Sequence, residues 1–280
     1  MTNANTRQVT VQGGRLPVWV RAGESPTVVF LHYWGGSHRT FEPVIARLAP
    51  ERAVVSYDYR GWGAARGLPG PYGIEQLADD VQDVVAGLGL GPYLLAGHSM
   101  GGKIAQMVAA RRPAGLAGLV LIAPAPPRPA VDAQSAEAVS HAYDSRSAVS
   151  DALKHVLTRQ PLPPSVREQA IADSLAAGDD ARRAWPLQGL TRDITAAARA
   201  IEVPALVVAG QYDQVDPPAS LEANLLPFIP GARMTVIEDT GHLSPLEVPG
   251  QVAHQIEEFA SVVTFGQPAD AWLATMESDG

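Results

Sequence analysis

The sequence predicts an α/β protein: a mostly parallel central sheet flanked by helices, interrupted after its sixth strand by a helical insertion. Three observations predict it. Short, continuous apolar runs at 28–32, 53–58, 93–97 and 116–123 are bounded by turn residues, which suits strands buried on both faces. Helical candidates at 40–48, 74–88 and 100–112 alternate with those runs, the pitch of repeated strand–helix–strand units. The alternation stops at Pro124 and resumes at 205.

Taken in order, 9–12 and 17–20, joined through Gly13 and Gly14, read as an antiparallel hairpin at the sheet edge. In 74–88, Leu77, Val81, Val84, Val85 and Leu88 recur at helical spacing and make one apolar face. The run Pro124-Ala125-Pro126-Pro127-Arg128-Pro129 can continue neither a strand nor a helix interior. From 131 to 199 there is no strand-like run, and Pro161, Pro163 and Pro164 divide the stretch into short helices. Strand 205–210, helix 220–226, strand 234–238 and helix 251–262 complete the pattern. The expected division is a core of residues 1–123 and 200–265, a helical lid or cap of 124–199, and a C-terminal tail of 266–280. From 264 onward the chain is apolar only at Phe265, Trp272 and Leu273 and is expected to be loosely docked or frayed.

Composition narrows the function. Hydrophobic residues are 46% of the 280 and charged residues 18%, a globular balance. A net charge of −8 argues against nucleic acid or an anionic membrane as partner. The absence of cysteine excludes disulfides, thiolate metal sites and a cysteine nucleophile. The N-terminus lacks a basic region followed by an apolar run, and no apolar stretch is long enough to span a bilayer. A cytoplasmic protein acting on a small-molecule substrate is expected.

Gly97-His98-Ser99-Met100-Gly101-Gly102 follows one strand and opens a helix. Such a sharp turn holds a serine in a strained conformation with Oγ above the sheet, and it needs small residues two positions before and after. The helix that follows aims its N–H groups at the same point. A serine needs a base, and the base an orienting group. Asp213 lies just past strand 205–210, and His242 just past strand 234–238. Both are at strand carboxyl ends, where sites of parallel sheets gather. Asp216 is the alternative acid.

An oxyanion hole needs two convergent N–H groups. Met100 is expected to supply one. The loop His32-Tyr33-Trp34-Gly35-Gly36-Ser37, from Trp34, is expected to supply the other. Trp34 is equally suited to an aromatic wall or to packing. His32, Tyr33 and His98 read as substrate-pocket or loop-bracing residues, with His32 more a brace for this loop than a proton carrier. In Asp58-Tyr59-Arg60-Gly61-Trp62-Gly63, Asp58 reads as a turn residue bonding nearby N–H groups, not as half of a catalytic pair with Arg60.

These motifs together resemble the α/β-hydrolase-fold serine hydrolases, over about residues 9–263. One departure is Tyr33, where the oxyanion loop of that family usually has glycine. The resemblance implies Ser99 as nucleophile, His242 as base, Asp213 as acid, Trp34 and Met100 as oxyanion donors, and no metal or organic cofactor. Serine at the elbow sets the chain apart from haloalkane dehalogenases and epoxide hydrolases of this fold, which use aspartate there. The implied reaction is hydrolysis of a carboxylic ester or lactone of a small-to-medium apolar substrate. Carbon–carbon bond hydrolysis, or cofactor-free dioxygenase or perhydrolase chemistry, is the alternative.

Overall fold

A computed structural model of the chain describes residues 5–263, so the tail reading for 266–280 lies outside the described residues. Eight strands, β1 (Asn5–Val11), β2 (Gly14–Arg21), β3 (Glu24–Leu31), β4 (Arg52–Tyr57), β5 (Tyr93–His98), β6 (Leu116–Ile122), β7 (Ala205–Gly210) and β8 (Ala232–Ile237), form one sheet. Their order is β1-β2-β4-β3-β5-β6-β7-β8. β1 pairs with β2 and β2 with β4 in antiparallel fashion, and every later pairing is parallel. The helices are α1 (Glu42–Ile45), α2 (Ile74–Leu88), α3 (Met100–Ala110), α4 (Ala133–Ser140), α5 (Arg146–Ala152), α6 (Pro164–Leu175), α7 (Asp179–Ala184), α8 (Thr195–Ala198), α9 (Pro218–Asn224), α10 (Ser244–Glu247) and α11 (Pro249–Val262).

The continuous apolar runs are strands because both faces of the sheet are covered. Along β3, Val29 and Leu31 join the core cluster under α2 and α3, while Val28 and Phe30 join the one under α1 and α11. Alternation of side chains across the strand feeds two cores from one run. In α2 the buried Ile74, Leu77, Ala78, Val81 and Val84 form the helical stripe, and Gly89 ends the helix in the left-handed conformation at φ 60°.

The segment expected as one helix at 40–48 is shorter. A 3₁₀ turn at His38–Phe41, capped by the Ser37 hydroxyl, leads into α1, which ends at Ile45. Beyond it the chain closes into a turn, with the N–H groups of Arg47 and Leu48 both donating to Val44 O. Helices α4 to α8 fill the connection between β6 and β7. They are short for stated reasons: Asp132 and Ser145 cap α4 and α5, and π-helical turns follow at Leu153–Leu157 and Trp185–Gly189. Pro186 has no N–H to continue the ladder of the second. Among the described residues no helix is long and apolar enough to cross a membrane.

Candidate active site

Ser99 sits between β5 and α3 with φ 53° and ψ −113°, a conformation that L residues avoid. It is held there by backbone bonds: Ser99 N–H donates to Ile122 O at 3.0 Å, and Ser99 O accepts from Gly102, Lys103 and Ala125 N–H. The flanking glycines are required by space. A Cβ on Gly97 would lie 2.4 Å from Gly101 O, and one on Gly101 would lie 2.2 Å from Leu31 O. Met100 is the first residue of α3, where the N–H has no acceptor within the helix.

His242 and Asp213 come from the loops after β8 and β7. Nδ1 of His242 donates to Asp213 Oδ2 at 2.8 Å. Asp213 Oδ1 accepts from the N–H groups of Val215 at 2.8 Å and Asp216 at 3.0 Å. It is Asp213, not Asp216, that reaches the ring. Burial alone would raise Asp213, but the His242 ring and those two N–H groups hold it below the ordinary carboxylate value. Burial alone would lower His242, and the charges of Asp213 and Asp216 together with the Asp213 bond raise it instead. Ser99 and His242 line the same cavity. Among the described residues, no hydrogen bond joins Ser99 Oγ to the ring, an arrangement that tightens on substrate binding in many enzymes.

Trp34 is fixed from two sides. Its carbonyl accepts from Trp62 Nε1 at 3.0 Å, its Nε1 donates to Arg182 O at 2.7 Å, and its ring stacks on Tyr143 at 4.1 Å. It also lines the cavity with Ser99, so wall and packing roles coexist. Tyr33 keeps an ordinary negative φ, so the loop does not require glycine there. Tyr33 O accepts from Gly36 N–H at 2.9 Å, and its ring lines the cavity and meets His98 at 5.2 Å.

Among the described residues that line the cavity, His32 and His98 are absent, and both rings make hydrogen bonds to neighbouring backbone. His32 Nδ1 donates to Tyr33 O at 2.7 Å and its Nε2 accepts from Tyr59 N–H at 3.3 Å. Burial pushes it down to about 4, so the ring stays neutral. His98 Nε2 donates to the His242 carbonyl at 2.8 Å, and burial pushes it down to about 3. Asp58 accepts from the N–H groups of His38 and Ala64, whereas Arg60 pairs with buried Asp80.

The cavity is about 360 Å³ and mostly apolar. Ala125, Val139, Ala142, Leu157, Trp185 and Leu190 contribute walls, several of them from α4 to α8 or the turns between them. Tyr143 in this wall carried no sequence signal, being one aromatic in an irregular helical stretch. Asp216 is the one acidic side chain in the lining. Among the described residues no group of three or more His, Cys, Asp or Glu side chains is arranged to hold a metal ion.

The sequence profile of the alpha/beta hydrolase fold family matches residues 26–249, from β3 to the start of α11. The chain belongs to the alpha/beta hydrolase fold family. Within it, the chain is 33% identical over 207 residues to a pimeloyl-(acyl-carrier protein) methyl ester esterase of Chromobacterium violaceum, covering 70% of this chain and 79% of that protein. It is 38% identical to the RutD protein of Agrobacterium fabrum over 100 residues, only 35% of this chain and 38% of that protein. Among solved structures, a thermophilic esterase from Thermogutta terrifontis superposes with a TM-score of 0.73 at 28% identity, over 91% of this chain and 98% of that one.

Proposed function

We propose that this alpha/beta hydrolase cleaves a carboxylic ester or lactone of a small-to-medium apolar substrate through an acyl-enzyme on Ser99. The observation that carries the reading is the strained Ser99, at φ 53°, sharing an apolar cavity with His242, whose Nδ1 is 2.8 Å from Asp213. Similarity to an ester hydrolase over most of both chains supports the bond type.

His242 gives its Nδ1 proton to the Asp213 bond, which leaves Nε2 with a lone pair for the Ser99 proton. Oγ attacks the carbonyl carbon, and the N–H groups of Met100 and Trp34 receive the developing oxyanion. His242 passes its proton to the departing alkoxide, and the alcohol leaves. Water then attacks the acyl-enzyme by the same steps, releasing the acid and restoring Ser99. Asp213 orients the ring and stabilises the imidazolium. The helices between β6 and β7 act as the cap that sets acyl size.

The test is hydrolysis of p-nitrophenyl esters from acetate to decanoate, together with γ- and δ-lactones, by the wild type and by Ser99→Ala. Turnover of short and medium esters, abolished by the substitution, is expected. Folded protein that turns over none of them contradicts the reading.

A further inference from the structure

The lining of the cavity next to Ser99 includes an acidic side chain, Asp216, that the acyl-transfer chemistry does not use. Asp216 is 5% exposed and lines the cavity together with Val215 and His242. Its N–H serves Asp213, but no donor among the described residues reaches its own carboxylate. On the helix that starts at the Ser99 turn, the Lys103 side chain is fully buried. Among the described residues Lys103 Nζ reaches no acceptor, Asp216 included, although Asp216 is the opposite charge that acts on it most strongly.

Buried charges without hydrogen bonds are costly and uncommon. Two of them acting on each other through the interior, one lining a cavity, make a subsite lacking its third group. Local charge decides what that group is. Asp213 and Asp216 are offset by Lys103 and by the imidazolium that forms on His242 during turnover. A carboxylate would meet the two aspartates. A cation would meet Lys103 and the imidazolium. A neutral hydroxyl donates to Asp216 and moves no net charge into an apolar chamber.

We propose that Asp216, backed by Lys103, is a hydrogen-bond-accepting subsite that selects esters carrying a hydroxyl group close to the scissile bond. The inference rests on the Ser99 reading above and narrows its substrate class. Asp216 is proposed as a specificity residue. It lines the same cavity as Ser99 and His242 and stands three positions after Asp213, which keeps the recognised hydroxyl near the reacting carbonyl.

The experiment compares kcat/KM for ethyl butanoate with ethyl 2-hydroxy- and 3-hydroxybutanoate, and for propyl butanoate with 2-hydroxyethyl butanoate. Each value is divided by the ester's rate with hydroxide, which removes intrinsic reactivity. At least one hydroxylated ester should exceed its parent by about tenfold or more, the scale of a hydrogen bond to a buried carboxylate. Asp216→Val should bring that ratio near one by raising KM for the hydroxylated ester, and Asp216→Asn, which keeps an acceptor, should retain part of it. A wild type with no hydroxyl preference overturns the proposal even if Asp216→Val does not fold. So does a preference that survives Asp216→Val. If the wild type hydrolyses none of the esters and Ser99 takes no fluorophosphonate, the Ser99 reading itself falls, and this inference with it. Hydrolysis of the parent esters without the preference removes this inference alone.

Discussion

The carboxyl edge of the sheet and the helical stretch between β6 and β7 meet across one cavity but are built differently. At the edge, Ser99, Asp213 and His242 are 8%, 3% and 2% exposed, and each loop is tied down by backbone bonds or close glycine packing. The stretch α4 to α8 consists of short helices, and many of its ion pairs are exposed, such as Arg146 with Glu168 and His141 with Asp144. Exposed pairs add little stability. The two regions are joined by a few specific contacts: Arg182 O with Trp34 Nε1, Ser174 Oγ with Gly35 O, Leu157 O with Leu243 N–H, and Glu247 with the N–H groups of Arg159 and Gln160. The proposed chemistry thus sits on the rigid partner, and the walls that would sort substrates sit on the softer one. Substitutions of Ser99, Asp213 or His242 should remove turnover, whereas substitutions in the helical walls, like those at Asp216, should redirect it.

The largest expected effect is at Ser99. Ser99→Ala and His242→Ala should each lower kcat by about a million-fold with thermal stability kept, and Asp213→Ala by about ten-thousand-fold, because it only orients the base. Steady-state kinetics beside a melting curve checks this. A fully active Asp213→Ala with a dead Asp216→Ala would move the acid to Asp216. Next in size is the joint between the regions. Trp34→Phe keeps the backbone N–H but loses the bond to Arg182 O, and should lower kcat by about tenfold with little change in KM. An unchanged kcat would show that the insertion does not position this loop. Smaller still, Val139→Phe should shift the preferred acyl chain shorter by a few-fold in kcat/KM while leaving the rate of Ser99 labelling nearly unaltered. Equal losses for all chain lengths would place Val139 with the edge and not with the wall.

The pH dependence follows from His242, which must be neutral to act as a base. With its value raised by Asp213 and Asp216, log kcat/KM should climb with unit slope through an ionisation above 6.5 and then level off. Asp216→Asn should move that limb to lower pH. Stability carries a second signature. Burial pushes Asp216 up to about 7 from 3.8, so across that window the folded chain keeps a proton that the unfolded chain has lost, and stability falls as pH rises. Burial pushes Lys103 down to about 8 from 10.5, so between those values stability rises with pH. Replacing both, as Lys103→Met with Asp216→Val, should flatten both slopes and raise stability near neutral pH by about 1–4 kcal/mol. Melting temperatures across pH 5–10 test the sign.

Much of the sheet was legible in the sequence because its determinants are local. A strand buried on both faces is a short apolar run, and the Ser99 turn excludes all but small residues at Gly97 and Gly101 by contact with their own neighbours. The order of strands and the meeting of Ser99, Asp213 and His242 at one edge follow from placing each at a strand carboxyl end. The helices between β6 and β7 were legible only as an insertion. Their boundaries depend on caps such as Ser145 and on π-helical turns that no periodicity announces. The stacking of Tyr143 on Trp34, and the electrostatic influence of Asp216 on Lys103, join residues 109 and 113 positions apart. A lysine in α3 reads as an ordinary helix former until the packing around it is known.

The central claim, an activated serine at residue 99, is tested most directly by incubating the protein with a fluorophosphonate and reading intact mass, with Ser99→Ala alongside. One covalent adduct on the wild type and none on the folded variant is the predicted result. Folded wild type without an adduct, or an adduct that persists in Ser99→Ala, would contradict it.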